Sequence, residues 1–142
     1  MLIRKPVSEV YEAFVDPAIT TKFWFTRSSG RLEPGANVTW EWEMYGAVAP
    51  VSVKAMETNA RILIEWHDPA HPVEFSFDGR DDGTTLVAIN VSGFHGDDEA
   101  VVPMAMDSMG GFTFLLAAAK AWLEHGIELN VVADHHPDAH VT

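Results

Sequence analysis

Histidines and carboxylates are the first residues to test for chemistry. Two clusters bring imidazoles close together in sequence: His67-Asp68-Pro69-Ala70-His71, and Asp134-His135-His136 with His140. Zinc takes three or four N, S or O ligands in tetrahedral geometry, offered by ordered elements. The first cluster spans a proline turn and the second lies in a terminal stretch. Neither has a ligand spacing of known geometry, so no metal is expected. The carboxylates Glu41, Glu43, Glu65 and Glu74 alternate with apolar residues, which places them on the solvated face of strands, away from any enclosed substrate. The chain has no cysteine, which removes thiol chemistry and disulfides together. No Ser/His/Asp set falls on the inward face. Polar side chains reach an interior only at its ends, where Tyr45, His95, Asp107, Ser108 and Thr113 are the candidates, with Tyr45 and Thr113 foremost. No catalytic residue and no cofactor are expected, and the balance leans away from an enzyme. Gly110-Gly111 lies at the edge of a helical pattern and reads as close helix–sheet packing rather than a phosphate loop.

The elements that must position these residues are legible from periodicity. From Met104 to Gly126, apolar residues at Met109, Phe112, Leu116, Ala119 and Leu123 follow a 3-4 spacing that lines one helix face. Leu115 and Trp122 widen the stripe, Ala117-Ala118-Ala119 favours helix, and Gly126 suits the left-handed residue that ends one. Phe112, Leu116 and Leu123 are expected to be buried and Lys120 exposed. Met104, Met106 and Met109 near the helix start fill gaps in the core or form a soft wall at a pocket mouth.

Ahead of this helix the chain alternates with period two. Val38, Trp40, Trp42 and Met44 form one inward set; Val51, Val53 and Ala55, then Ile62, Ile64 and Trp66, then Val73, Phe75 and Phe77, then Thr85, Val87, Ile89 and Val91 form the others. A short strand is expected at Leu2-Ile3-Arg4-Lys5 and another at Gly30-Arg31-Leu32-Glu33. Pro6 opens a short helix with Val7, Val10, Tyr11 and Phe14 on one face. Asp16-Pro17 caps and starts a second. Strands in series followed by a helix give an α+β fold with an antiparallel sheet, and the terminal helix is the one element long enough to cover it.

At 142 residues one domain is expected, spanning 1–132, with 133–142 as a C-terminal tail poor in apolar residues. The net charge of −12 repels phosphate backbones and anionic lipid, so neither nucleic acid nor membrane is an expected partner. No run of 18 apolar residues and no signal-peptide core is present, and a cytoplasmic location is the default expectation.

The series DPAITTKFWF, GRLEPGANVTWEW, GTTLVAINVSGF and GGFTFLLAAAKAWLEHG resembles the Hsp90-ATPase-activator-homologue branch of the START and pollen-allergen superfamily. The likeness runs from about residue 4 to 130. Asp16-Pro17 before Phe23-Trp24, the set Thr85, Val87, Ile89, Gly93 and Phe94, and Gly111-Phe112 carry it. It implies a helix-grip fold: a curved antiparallel sheet of six or seven strands wrapped around a long C-terminal helix, with two short helices after the first strand. Such proteins carry a fuller first strand than the few residues before Pro6. The resemblance implies a binding protein for a small apolar or amphipathic molecule held between sheet and helix. Chaperone association in a stress response is the alternative it carries, a cyclase- or dehydratase-like enzyme is a third, and a homodimer is compatible with all three. The residues expected around a ligand are Phe23, Trp24, Trp40, Trp42, Tyr45, Trp66, Phe75, Phe77, Met106, Met109, Phe112, Thr113 and Leu116, with the opening near Phe23-Trp24 and the Met104–Met109 stretch.

Overall fold

The computed structural model describes residues 1–67 and 70–142. Seven strands form one antiparallel sheet in the order β1-β7-β6-β5-β4-β3-β2. They are β1 (Leu2–Ile3), β2 (Arg27–Ser28), β3 (Asn37–Trp42), β4 (Ala47–Glu57), β5 (Arg61–Trp66), β6 (His71–Gly79) and β7 (Thr85–Val91). Four helices accompany them: α1 (Val7–Val15), α2 (Pro17–Thr20), α3 (Asp98–His125) and α4 (Val131–His135). Strands β3 to β7 follow each other as hairpins, the arrangement that hairpin-spaced alternation requires. The α+β helix-grip architecture is therefore as expected.

Local chemistry explains the elements. The Asp16 carboxylate accepts from the Ala18 N–H at 3.0 Å with Pro17 at the first position of α2, so the chain turns from one helix straight into the next. The Asp97 carboxylate caps α3 through the Ala100 N–H at 3.0 Å. At its far end Gly126 adopts φ 65°, and its N–H returns to the Trp122 carbonyl at 2.8 Å. Alternation delivers the core: Val38, Trp40, Val51, Val53, Ile62, Ile64, Val73, Phe75, Phe77 and Val87 are buried on one sheet face.

Several expectations need correction. The helix starts at Asp98, six residues before Met104, and carries Pro103 inside it. At 28 residues α3 is long and apolar enough, by length and composition alone, to cross a membrane. It spans about 42 Å at 1.5 Å per residue, and no residue of its N-terminal half is fully buried. The buried residues of α3 are Leu115, Ala118 and Ala119, while Phe112, Leu116 and Leu123 are half-buried. The helix is rotated by one residue from the expected stripe. Lys120 is half-buried and not free: its ammonium donates to the Leu2 carbonyl at 2.7 Å and pairs with Glu124. The Arg4 N–H also reaches Glu124, at 3.0 Å. These bonds tie the last turns of α3 to β1, which explains how a two-residue edge strand stays in place. Gly110 and Gly111 are exposed, with nothing within 4 Å of a Cβ built on either, so they do not serve close packing.

The strand expected at Gly30–Glu33 is absent from those residues. β2 instead comes earlier, at Arg27–Ser28, and the Leu32 N–H crosses to the Val15 carbonyl at 3.2 Å. Met44 does not extend β3. Glu43–Tyr45 form a 3-10 turn closed by left-handed Gly46 (φ 61°), because β3 must reverse there to pair with β4. In β4 the register shifts between Val53 and Ala55, a bulge that breaks the alternation and leaves Ala55 half-buried. The stretch expected as a tail from 133 onward runs back over the body: the Val141 N–H donates to the Met44 carbonyl at 2.8 Å.

Candidate functional site

Three aromatics in a row, Phe23-Trp24-Phe25, leave α2 and point in different directions. Phe23 is buried against Phe14, with ring centroids 5.4 Å apart. Phe25 stacks on Trp40 at 4.8 Å. Trp24, between them, projects into the space between sheet and α3. Its ring meets Trp40 at 4.7 Å, Trp66 at 5.9 Å, Phe112 at 6.1 Å and Trp42 at 6.3 Å. Edge-to-face and tilted contacts of this kind fix indoles by their quadrupoles as well as their bulk. Rigid rings in a fixed arrangement cannot collapse onto a gap as Leu or Met does.

Beside this cluster lies a cleft of ≈ 370 Å³. Trp24, Trp42 and Trp66 form its sheet-side wall, with Ala47, Val48 and Ala49 of β4 at the edge. Asp107, Ser108, Gly111, Phe112, Phe114 and Leu115 of α3 form the second wall. Val131, Val132, His135 and His136 form the third, and Tyr45 and His67 sit at the rim. A second cavity of ≈ 470 Å³ shares the partition Trp66, His67, Asp107 and Ser108 and continues to His71, Gly93, Phe94, His95 and Met104. The first volume falls within the range of small-molecule sites, which are largely apolar with a few placed polar groups.

The rim is chemically specific. The Trp66 indole N–H donates to His71 Nε2 at 3.1 Å, which orients that ring at the rim. His67 holds a left-handed backbone (φ 67°), rare for a residue with a side chain, and its ring lies 4.2 Å from that of Trp66. Although the residue is exposed overall, loss of water around the ring and the neighbouring His71 hold its pKa below the ordinary imidazole value. The Tyr45 hydroxyl donates to the Val132 carbonyl, with the Ala133 carbonyl at 3.2 Å. Among the described residues, no Lys or Arg lines either cavity. No group of three or more His, Asp or Glu among the described residues is placed to hold a metal ion, and Asp68 and Pro69 of the first histidine cluster lie outside them.

Of the residues expected around a ligand, the structure brings Trp24, Trp42, Tyr45, Trp66 and Phe112 to the cleft. It places Trp40 and Phe75 behind the wall, fully covered by other rings. Phe23 is not at an opening, and Phe77 packs on Tyr11 and Phe14 at the opposite end. Leu116 packs half-buried against the core. Met106 and Met109 are 69% and 73% exposed on the outer side of α3. Thr113 is exposed too, its hydroxyl bonded back to the Met109 carbonyl at 2.6 Å. The second cavity takes in Met104 and His95. The sequence carried no periodic signal for α4, Val48 or Phe114 as walls.

A curved sheet closed on a long helix, with an apolar aromatic cleft between them, defines a helix-grip container. The chain belongs to the family described as "Activator of Hsp90 ATPase homolog 1-like protein", whose model matches residues 4–115. Protein SSP2350 from Staphylococcus saprophyticus is similar over 91% of each chain, at 32% identity and a TM-score of 0.79. The Aha1 dimer from Colwellia psychrerythraea is similar over 89% of this chain and 93% of that one, at 20% identity and a TM-score of 0.71. CalU16 from Micromonospora echinospora is similar over 98% of this chain and 80% of that one, at 18% identity and a TM-score of 0.70. At these two lower identities the likeness is one of fold. No curated protein matches the sequence.

Proposed function

We propose that the protein binds a small apolar or amphipathic molecule without a strongly anionic group in the cleft between sheet and α3. The observation that carries this is the ≈ 370 Å³ of space beside Trp24, Trp42, Trp66 and Phe112. Rings already locked against one another offer a preformed apolar surface, so little ordering cost is left for binding. A phosphate or sulfate has no permanent cation to meet there among the described residues. Imidazole and hydroxyl groups at the rim suit a carbonyl, hydroxyl or amine on the ligand. The test is a titration with the neutral fluorophore N-phenyl-1-naphthylamine. One-to-one binding with quenching of tryptophan emission is expected, and Trp42→Ala should weaken it by about 5- to 50-fold, the worth of one aromatic wall. Absence of binding, or equal binding by Trp42→Ala, would remove the cleft as the site.

One observation favours a second reading, a protein-interaction role of the kind the family description names. Val102, Met106 and Met109 present an exposed apolar stripe on the N-terminal half of α3. An enzymatic role finds less support: Thr113 faces outward, and the Tyr45 proton is committed to a backbone carbonyl.

A further inference from the structure

We propose that residues 127–142 form a hinged cover over the cleft, that Tyr45 is its catch, and that a ligand gains access by lifting it. The inference rests on the binding reading above and concerns how that site is controlled.

The cover has a hinge at each end of its first stretch. Gly126 and Asn130 both adopt left-handed backbone, at φ 65° and φ 57°, and they bracket the exposed Ile127 and Leu129. Beyond them α4 turns back so that Val131, Val132, His135 and His136 close one side of the cleft. Val131 packs half-buried against the core, and the hydrogen bonds that hold this segment down are concentrated at one turn. The Tyr45 hydroxyl donates to the Val132 carbonyl, and the Tyr45 hydroxyl oxygen in turn accepts from the His136 N–H at 3.4 Å. The Val141 N–H donates to the Met44 carbonyl at 2.8 Å, and the His140 ring lies edge-on to the Tyr45 ring at 5.3 Å. The other aromatic contact is His135 against Phe114, at 4.9 Å.

Energetics separate this segment from the rest of the fold. Among the described residues of 127–142 none is fully buried, so lifting it returns little apolar surface to water. A five-residue helix is far too short to persist without its contacts. Such a segment opens at a small fraction of the cost of global unfolding. The grip of β1 and α3, by contrast, runs through Lys120 and Glu124 and does not involve the cover. The cover also lies outside the residues that the family model matches, 4–115. The site therefore joins an aromatic wall from within the matched residues to a wall from outside them.

The test pins the cover. The Val141 methyls lie 3.6 Å from the place where a Cβ on Gly46 would stand, and the chain has no cysteine of its own. A sulfur in place of a Val141 methyl would stand close to that Cβ, so Gly46→Cys with Val141→Cys offers a single disulfide with a small adjustment of either side. Stopped-flow uptake of N-phenyl-1-naphthylamine is expected to slow at least tenfold when the pair is oxidised and to recover with reductant. Equal rates in the two forms would show that the probe passes instead by the second cavity, past Trp66 and His67, and would overturn the proposal. Because Gly46 is left-handed, Tyr45→Phe supplies an independent arm. It removes the catch and should raise association and dissociation rates together by at least threefold. Unchanged rates in Tyr45→Phe would also overturn the cover. A failure of the binding reading looks different, since the unmodified protein would then take up no probe at all.

Discussion

The two ends of the space inside the sheet have similar materials and opposite outcomes. At one end Tyr11, Phe14, Phe23, Phe75 and Phe77 interlock at ring separations of 5.3 to 5.7 Å, and all are buried. At the other, Trp24, Trp42, Trp66 and Phe112 touch at similar distances but leave a cleft. Aromatic content alone does not decide whether space remains. The difference is the cover. The closed end has α1, nine residues that drive Val10, Tyr11, Ala13, Phe14 and Val15 into the interior. The open end has five-residue α4, which buries none of its residues fully.

That contrast can be broken by substitution, starting where the effect is largest. Phe14→Ala at the closed end should cost about 3–5 kcal/mol in chemical denaturation, the range for a truncated core aromatic. Trp42→Ala at the open end should cost less than about 1.5 kcal/mol, because one side of the ring already faces space. Similar losses at both positions would mean that the two ends are packed alike. Next comes the helix that spans both. Leu115→Ala should lose about 2–4 kcal/mol, and the adjacent Leu116→Ala about half as much, since Leu115 is buried and Leu116 is only partly covered. Reversal of that order would restore the stripe expected from the sequence.

The smallest effect concerns the grip itself. Burial alone would raise the Glu124 pKa, but the Lys120 ammonium and the Arg4 N–H outweigh it and hold the carboxyl below its ordinary value. A carboxylate depressed in the folded state adds stability above its unfolded pKa, about 4.3, and loses it as pH falls through the lower folded value. Glu124→Gln should therefore cost about 1 kcal/mol at neutral pH. It should also flatten the acid side of the melting-temperature profile below about pH 4.5. An unchanged acid limb would show that β1 is held by sheet pairing alone.

The strands, their inward faces and the capped helices were legible because each follows a local rule: period two, an Asp-Pro cap, a terminal glycine. The rotation of α3 was not. Apolar residues such as Val102, Met106 and Met109 lie on its exposed side as well as on its inner one, so periodicity could not say which side meets the sheet. Trp24 was legible as an aromatic at an opening because three consecutive rings cannot all face inward. Its neighbour Phe23 carried the same signal and is buried. The third wall left no trace in the pattern. Ile127, Leu129 and Val131 alternate as a strand would, whereas the structure starts α4 at Val131, and the tie of Val132 to Tyr45 runs through a backbone carbonyl, which every residue possesses.

The bulge at Lys54 has a consequence for how such a container can diverge. One residue without a partner in β4 adds bend and twist to a central strand of the sheet whose inner face α3 meets. Gain or loss of a single residue there would change the curvature of the sheet while every inward side chain keeps its identity, so two chains with matching inward faces need not enclose matching space.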